Sequence, residues 1–355
     1  MFRIQSLVIF LWYSCCLSAQ QTYWVSNRGD LVEVDFVSVQ DAINAASNGD
    51  TILLYPRQVS YGVLTLDKSL HLIGAGYNMD TLQQPSLSYE FEFPSSYFTS
   101  VTIIAEGSGS SFQSIDMGRV NISDGATDLR IFSCYTNTMR IRDARNIQIK
   151  GCYMTGRTCP FTYRTSPGGR SICVGGAINF LSANASNIII ANSILVGSES
   201  RNVPIYGRVS GLVVKNCYLG FYIAYQSDVS NTMYINNIST TALGGPNSVA
   251  HNNIILSGQP TQNANGNRYG HTYTEVFGDV NDRSFDLRYE LAPNSPAIST
   301  GLGGIDCGPF GGSEPYLPSG VVGRPLIYQL NMPVELESGN DMHVNVKVKT
   351  TNHGQ

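Results

Sequence analysis

The sequence has few charged residues and lacks the compact motifs of metal and nucleophilic chemistry. Asp, Glu, Lys and Arg make up 14% of its 355 residues, and the formal net charge is −4. This composition excludes the basic surface typical of nucleic-acid-binding proteins. Cys-x-x-Cys pairs and His/Cys zinc spacings are absent, and no Gly-x-Ser-x-Gly motif marks a nucleophile for Ser-His-Asp catalysis. The sequence therefore predicts no resident cofactor and no nucleic-acid partner.

The middle of the chain also lacks the pair of carboxylates that a glycosidase needs on one face. Between residues 129 and 256 the acidic residues are Asp143, Glu199 and Asp228, and no two of them are neighbours in sequence. A later loop, residues 279–282, offers three oxygen-bearing side chains but lacks the Gly and the closing Glu of an EF-hand loop. Ca²⁺ binding in that loop is a minor hypothesis beside the expectation of no cofactor.

Long apolar segments are absent after the N-terminus. Arg3, the apolar run 7–12 and the small residues before Gln20 are typical of a secretory signal peptide, which we expect to span residues 1–19. The adjacent cysteines at 15–16 raise the alternative of a lipoprotein, although the residues before them lack the usual small-residue pattern. The apolar run is too short to span a bilayer as a helix. We expect an exported protein, secreted or held at the cell surface, without a membrane span.

Eight cysteines are present, two of them inside the expected signal peptide. Export permits disulfides. Cys159 and Cys173 bracket one inserted loop and are the candidate disulfide. Cys134, Cys152 and Cys217 fall at equivalent places in a repeat, and we expect them to be buried free thiols.

What the sequence does contain is a short repeated phrase in its middle third. Two small residues, mostly polar, and then Tyr or Ile follow a short alternating apolar stretch, and consecutive copies are about 16 to 24 residues apart except for one longer gap. Self-similarity at this period indicates a solenoid whose coils bury their apolar faces by stacking. The copies are Ser133-Cys134-Tyr135, Gly151-Cys152-Tyr153, Asn192-Ser193-Ile194, Asn216-Cys217-Tyr218, Asn236-Asn237-Ile238 and Asn252-Asn253-Ile254.

The repeat predicts strands rather than helices. Apolar residues such as Ile147 and Ile149 alternate with polar ones, which is typical of half-buried strands. Gly, Asn, Ser and Asp between the strands favour sharp bends. A coil with two or three short strands is the rung of a parallel β-helix. Stacking predicts a column at one corner whose side-chain amides bond along the stack, made of Asn192, Asn216, Asn236 and Asn252.

The N-terminal region predicts a helix that covers the open end of the solenoid. Ser38 is a suitable N-cap with Asp41 three residues later, and Val39, Ala42 and Ile43 form one apolar face. An uncovered strand edge would invite aggregation. Strands are expected to follow this helix within residues 51–74.

Five segments carry a resemblance to a known group. The runs VQDAI at 39–43, GDTI at 49–52 and KSLHLIG at 68–74 resemble the cap and first coils of right-handed parallel β-helix proteins, the pectate-lyase-like superfamily. The runs SPAI at 295–298 and GIDCG at 304–308 resemble the closing segment of secreted bacterial β-helix proteins. The resemblance implies an all-β fold: a right-handed parallel β-helix with an N-terminal helical cap.

The domain organisation follows from these observations. We expect the β-helix to occupy residues 20–312 and a linker with C-terminal strands to occupy residues 313–355. Prolines mark the linker, and residues 326–330 and 342–349 predict two amphipathic strands. Two strands alone are marginal in water. They are therefore expected to pack back on the helix or to contact a partner or surface.

The insertion between residues 155 and 176 is the expected place for substrate binding. Arg157, Arg164 and Arg170 offer guanidinium groups for carboxylates or sulfates, and Tyr163 offers a ring for a sugar. The alternative is that these are solvated loop residues that lie near each other only in sequence.

Catalytic candidates are weaker. In β-helix lyases, which the resemblance brings in, the base is commonly Lys or Arg, and Ca²⁺ or basic residues neutralise the substrate carboxylate. Lys150 or Lys215 with Arg157 would fill these roles if their side chains converge in one groove. Both lysines directly precede the repeated phrase, so they are alternatively outward-facing rung residues. His251, also beside the phrase, is a further candidate.

Two hypotheses of different class remain open. The first is a secreted or surface β-helix protein without catalytic activity that binds carbohydrate or has a structural or adhesive role. The second is a polysaccharide lyase-like enzyme that acts on an acidic glycan. The absence of a recognised catalytic set favours the first, and a polysaccharide is the expected partner in both.

Overall fold

The computed structural model describes side chains and backbone for residues 19–26, 34–56, 59–77, 95–156, 176–197, 204–220, 229–281 and 283–321, and backbone alone for 161–164, 171–174, 326–331 and 345–349. Parallel strands stack into three long sheets, so the predicted parallel β-helix is confirmed. The coils between residues 130 and 207 pass through all three sheets in turn, whereas the described strands of earlier and later coils belong to one or two of them. The strands below are given in hydrogen-bonded order.

The long sheet contains β1 (Thr22–Val25), β2 (Thr51–Leu54), β4 (His71–Ile73), β6 (Ser111–Gln113), β8 (Arg130–Phe132), β11 (Arg145–Lys150), β16 (Ser186–Ala191), β19 (Ser210–Lys215), β21 (Thr232–Ile235) and β23 (Val249–His251). The six-stranded sheet contains β18 (Ile205–Gly207), β15 (Ile178–Phe180), β10 (Thr138–Ile141), β7 (Arg119–Ile122), β5 (Ser100–Ile103) and β3 (Val63–Leu66).

The eight-stranded sheet contains β25 (Thr261–Gln262), β26 (Arg268–Tyr269), β24 (Ile254–Ile255), β22 (Ile238–Ser239), β20 (Tyr218–Gly220), β17 (Ile194–Val196), β12 (Tyr153–Met154) and β9 (Tyr135–Thr136). Two antiparallel hairpins pair β13 (Phe161–Arg164) with β14 (Ser171–Val174) and β27 (Leu326–Asn331) with β28 (Asn345–Lys349). The helices are α1 (Val39–Ala45) and α2 (Tyr273–Phe277), with single 3-10 turns at Ala105–Gly107, Leu287–Tyr289 and Pro318–Gly320.

Period-two alternation builds the core as predicted. Ile147 and Ile149 of β11 lie directly beside Ile188 and Ile190 of β16, and all four are fully buried. The predicted N-terminal cap is also present. Ser38 Oγ accepts a hydrogen bond from the amide of Asp41, and the apolar face of α1 is buried at the start of the solenoid.

The corner after the long sheet is made by residues with left-handed backbone. Ser133, Gly151 and the asparagines at the first position of the repeated phrase all have φ between 45° and 62° there. Gly and Asn tolerate this region better than other residues because the first has no Cβ and the second bonds locally to the backbone. The sequence repeats small polar residues at this place because the chain must turn sharply there.

The predicted amide column is wrong by one residue. The buried column consists of the second residues of the phrase, in which Asn237 Nδ2 donates to Asn253 Oδ1 at 3.0 Å and Asn253 Nδ2 donates to Asn267 Oδ1 at 2.8 Å. The backbone amides of Asn237 and Cys217 donate into the same column. Three cysteines continue it as buried free thiols, which confirms the prediction for Cys134, Cys152 and Cys217.

The first residues of the phrase hold a different partner. Their amides bind residues 299–320, which we call the strap and which run along the corner from the last coils back to the early ones. Asn252 Nδ2 donates to Thr300 O at 3.2 Å, Asn236 Oδ1 accepts from Leu302 N at 2.7 Å, and Asn192 Nδ2 donates to Gly311 O at 2.7 Å. Asn192, Asn216, Asn236 and Asn252 therefore dock a later segment instead of bonding to one another.

The strap and the residues before it cover the outside of the eight-stranded sheet. Tyr218 of the sheet packs on Tyr289 with ring centroids 4.3 Å apart, and Phe277 of α2 completes this second core. At the far end Asp286, fully buried, accepts hydrogen bonds from the Tyr316 hydroxyl and from the Ser319 amide. The outer face of this sheet is consequently closed to a ligand where these residues lie.

Asn253→Ala tests the corrected column. Asn253 accepts from the backbone and side chain of Asn237 and donates to Asn267 and to the Tyr234 carbonyl. Its loss leaves buried polar groups without partners, so we expect a loss of about 2 kcal/mol or more in the free energy of unfolding, measured by urea denaturation.

The matched control is Asn44→Ala, at an exposed position of α1, which should change stability by no more than about 0.5 kcal/mol. Equal effects of the two substitutions would contradict the column.

Candidate functional site

Two faces of the solenoid carry rows of outward-facing residues not covered by the second core: those of the six-stranded sheet and of the long sheet. In a parallel sheet every second residue of a strand faces outward and equivalent positions stack about 4.8 Å apart. The residues on these faces therefore form rows parallel to the solenoid axis.

The outward face of the six-stranded sheet is polar and contains no carboxylate. Its ten outward positions form two rows in strand register. Eight of them are uncharged, and the two charged ones are Arg119 on β7 and Arg140 on β10. The rows are Val63, Ser100, Arg119, Thr138 and Thr65, Thr102, Asn121, Arg140, Asn179, Tyr206.

The two arginines stand diagonally across adjacent strands. Arg119 lies beside Thr138, and Arg140 lies beside Asn121. Arg119 is exposed and Arg140 half-buried. Burial lowers the pKa of Arg140, and the positive charge of Arg119 lowers it further. Two like charges held this close favour an anion between or above them, because an anion would offset their repulsion.

The insertion ends beside this face. Asn179, fully buried, accepts a hydrogen bond from the amide of Gly176 and donates to the Gly176 carbonyl and to Thr138 Oγ1, at 2.8, 2.8 and 3.1 Å. The last residue of the insertion is thereby fixed over the C-terminal part of the six-stranded sheet. Thr138 is also fully buried, and its Oγ1 donates to the Gly176 carbonyl. The exposed part of the face therefore runs from Val63 to Arg119, with the half-buried Arg140 at its edge beside the insertion.

Most of the predicted substrate-binding residues lie outside the described side chains. Arg157, Cys159 and Arg170 are outside the described residues, and for Tyr163, Arg164 and Cys173 only the backbone is described. The backbone places Tyr163 beside Ile172 and Arg164 beside Ser171 in the β13–β14 hairpin. The predicted disulfide and the predicted arginine cluster therefore stay predictions.

The structure brings three of the four catalytic candidates into one row of the long sheet. Lys150, Lys215 and His251 are the last outward residues of β11, β19 and β23, with one strand between each pair. Lys150 forms an ion pair with Glu314 of the strap. The insertion leaves the coil between the eight-stranded and six-stranded sheets, on another side of the solenoid. Convergence of Arg157 with either lysine stays a prediction.

Asp116 is a titratable residue that the sequence reasoning missed. Its backbone forms isolated parallel β-bridges with Tyr97 and Tyr135 in neighbouring coils. Its side-chain Oδ1 accepts a hydrogen bond from the amide of Gly118 at 3.1 Å. Burial raises the pKa of Asp116 to about 6. A signal was present, since Ser114-Ile115-Asp116 is the repeated phrase one coil earlier, with Asp where later copies have Tyr or Ile.

Metal and membrane features are few in the part of the chain that the structure describes. No group of three or more His, Cys, Asp or Glu residues is placed to hold a metal ion there. Asp279 Oδ1 accepts from the amide of Asn281, and Asp282 lies outside the described residues, so Ca²⁺ binding in this loop stays a prediction. None of the described helices is long and apolar enough to cross a membrane.

Asp116→Asn tests the environment of this carboxyl. A pKa raised from 3.8 to about 6 means that folding disfavours the carboxylate, so the stability contributed by Asp116 is full below pH 4 and is lost as the pH rises through 6. We expect the variant to be more stable than the parent by about 1–3 kcal/mol at pH 7 and equal to it near pH 3.5, in urea denaturation. A constant difference across this range would contradict the raised pKa.

Comparisons with known proteins give limited information. No protein-family model matches the chain, and no curated protein matches it in sequence. A solved structure titled rhamnogalacturonan lyase is similar in chain path, with 11% identity over 78% of this chain and 96% of that chain and a TM-score of 0.39. A similarity this low carries no argument about the chemistry of either face. The chain is a parallel β-helix protein, and its membership of a family stays a prediction.

Proposed function

We propose that the protein is an exported β-helix that binds an extended acidic polysaccharide, without cleaving it, along the outer face of the six-stranded sheet. The observation that carries this proposal is the row composition of that face. Arg119 and Arg140 stand among uncharged hydrogen-bonding residues, and none of the ten outward positions is Asp or Glu.

The chemistry of the face suits such a polymer. A guanidinium group binds a carboxylate through two parallel hydrogen bonds, which gives direction as well as charge attraction. Ser100, Thr102 and Asn121 offer neutral donors and acceptors to sugar hydroxyls. A polymer lying along the solenoid axis would meet these side chains row by row, since the strands of one sheet are spaced evenly.

Two observations favour binding without catalysis. The outward rows of this face contain no carboxylate, so a glycosidase pair has no place among them. Lys150, which was a candidate base, is engaged by the carboxylate of Glu314, whereas a base must be unprotonated to take a proton.

A polysaccharide lyase-like activity on the same glycan class is the second candidate. It is favoured by the position of the insertion, which is anchored beside the arginine-bearing face through Asn179. In that case the insertion would supply Arg157 and its neighbours to the polymer held by Arg119 and Arg140.

A double substitution tests the proposed surface. In affinity electrophoresis with polygalacturonate, Arg119→Ala/Arg140→Ala should weaken retention at least about tenfold, because two charged hydrogen-bonding groups are lost. Arg283→Ala/Arg288→Ala is the matched control, since it removes the same charge from one half-buried and one exposed position outside the six-stranded sheet and should leave retention within about twofold.

Ultraviolet absorbance of unsaturated uronide, followed in the same mixtures with and without Ca²⁺, separates the two candidates. Retention without absorbance change is the expected result. Turnover by the parent protein would overturn the non-catalytic proposal in favour of the lyase. Equal retention of both double variants would remove the six-stranded face as the binding surface.

A further inference from the structure

The outer face of the long sheet has a charge pattern that the proposed function does not use. Ten strands present two outward rows of ten residues each, and none of these positions is Asp or Glu. The chain as a whole has 26 acidic and 22 basic residues. Two strand rows of this length that contain basic residues and no acidic ones are therefore complementary to an anionic partner.

Basic residues alternate with aliphatic residues along one of the two rows. From β11 to β23 the row reads Lys150, Ala191, Lys215, Ile235 and His251. Neighbouring strands lie about 4.8 Å apart, so successive basic residues are separated by about 9.6 Å. This spacing matches a polymer whose units are each about 4.8 Å long and in which every second unit carries an anion.

The other row begins with the polar Gln148 on β11 and is apolar on the four strands that follow. Ile189, Val213, Met233 and Val249 lie in register next to the basic row. Met233 is 41% exposed and Val249 is 44% exposed. Sugar rings have apolar C–H faces as well as hydroxyl rims, and an aliphatic row beside a basic row accommodates both.

The strap already places one carboxylate on this row. Glu314 forms its ion pair with Lys150, at the N-terminal end of the alternating segment. The strap reaches this position because Asn192, one coil further, binds the carbonyls of Pro309 and Gly311. Lys215 is exposed and has no ion pair with any residue in the described part of the chain. The row therefore binds a carboxylate at Lys150 and leaves Lys215 exposed to solvent.

We propose that the long sheet carries a second polysaccharide-binding surface, specific for an acidic glycan with one carboxylate on every second sugar. Lys150, Lys215 and His251 bind successive carboxylates, and Ile189, Val213, Met233 and Val249 contact the sugar rings between them. Glu314 competes with the glycan for Lys150. This inference rests on the ligand class of the proposed function, but it concerns a different face and different residues.

Binding is measured on the full chain in which Arg119→Ala/Arg140→Ala has removed the first surface. The probes are hyaluronan, which has one carboxylate per disaccharide, polygalacturonate, which has one on every sugar, and uncharged dextran. We expect hyaluronan to bind at least as tightly as polygalacturonate despite half the charge density, and dextran not to bind. Affinity that simply follows charge density would overturn the alternating match.

Two substitutions with opposite expected effects locate the surface. Lys215→Ala should weaken hyaluronan binding about threefold or more, and Glu314→Gln should strengthen it by a similar factor because Lys150 is released. Arg142→Ala, on another corner, is the charge control and should change nothing. Unchanged thermal midpoints establish that each variant is folded, and a change in the same direction for both substitutions would overturn the proposal.

The outcomes separate this inference from the proposed function. If Arg119→Ala/Arg140→Ala abolishes all binding, the long sheet is not a binding surface and the six-stranded face stands alone. If the double variant binds as well as the parent while Lys215→Ala weakens binding, the six-stranded face fails and the long sheet is the site. Stronger binding to anionic lipid vesicles than to any glycan would overturn the polysaccharide assignment.

Discussion

The constraint on which the structure depends is the sharp turn between the long sheet and the eight-stranded sheet. Every coil must make this turn without leaving backbone polar groups unpaired in the core. Two consecutive residues divide the task. The first adopts left-handed backbone and directs its side chain outward, and the second directs its side chain into the buried column, where Asn237, Asn253 and Asn267 bond to each other and to the backbone.

This corner also decides which faces of the solenoid remain available. The outward amides of Asn192, Asn216, Asn236 and Asn252 hold the strap. The strap end approaches the corner very closely, since a Cβ on Gly320 would lie 2.3 Å from the Ser133 carbonyl oxygen, so only glycine fits there. With the eight-stranded sheet covered by this segment, the two remaining sheets are the surfaces on which a long ligand can lie.

The sequence predicted the fold because its main signal is local. Period-two alternation around Ile147 and Ile149 and the recurrence of the phrase require only the spacing of residues along the chain. The cap at Ser38 is equally local. The direction of each phrase asparagine was predicted wrongly because two adjacent asparagines are indistinguishable by spacing. The left-handed backbone at Asn236 and Asn252 turns their side chains outward and leaves the second asparagine of each pair facing the core. The partner of the outward amides is the strap, which lies far along the sequence.

The residues that line the two proposed binding faces were harder to predict from the sequence, for a different reason. Arg119 and Arg140 lie 21 residues apart and come together because β7 and β10 stack, and neither arginine belongs to the repeated phrase itself. The alternation of Lys150, Lys215 and His251 depends on strand register, which includes a coil lengthened by the insertion. A prediction of the rows would have needed the correct pairing of every coil, whereas the prediction of the fold needed only the repeat.

Arginine footprinting tests the account most directly. The protein would be treated with phenylglyoxal in the presence and absence of polygalacturonate, and the modified arginines would be identified by mass spectrometry. We expect the polymer to protect Arg119 and Arg140 and to leave Arg283 and Arg288 as reactive as before. Equal protection of all four, or protection of Arg283 and Arg288 alone, would contradict binding along the six-stranded sheet.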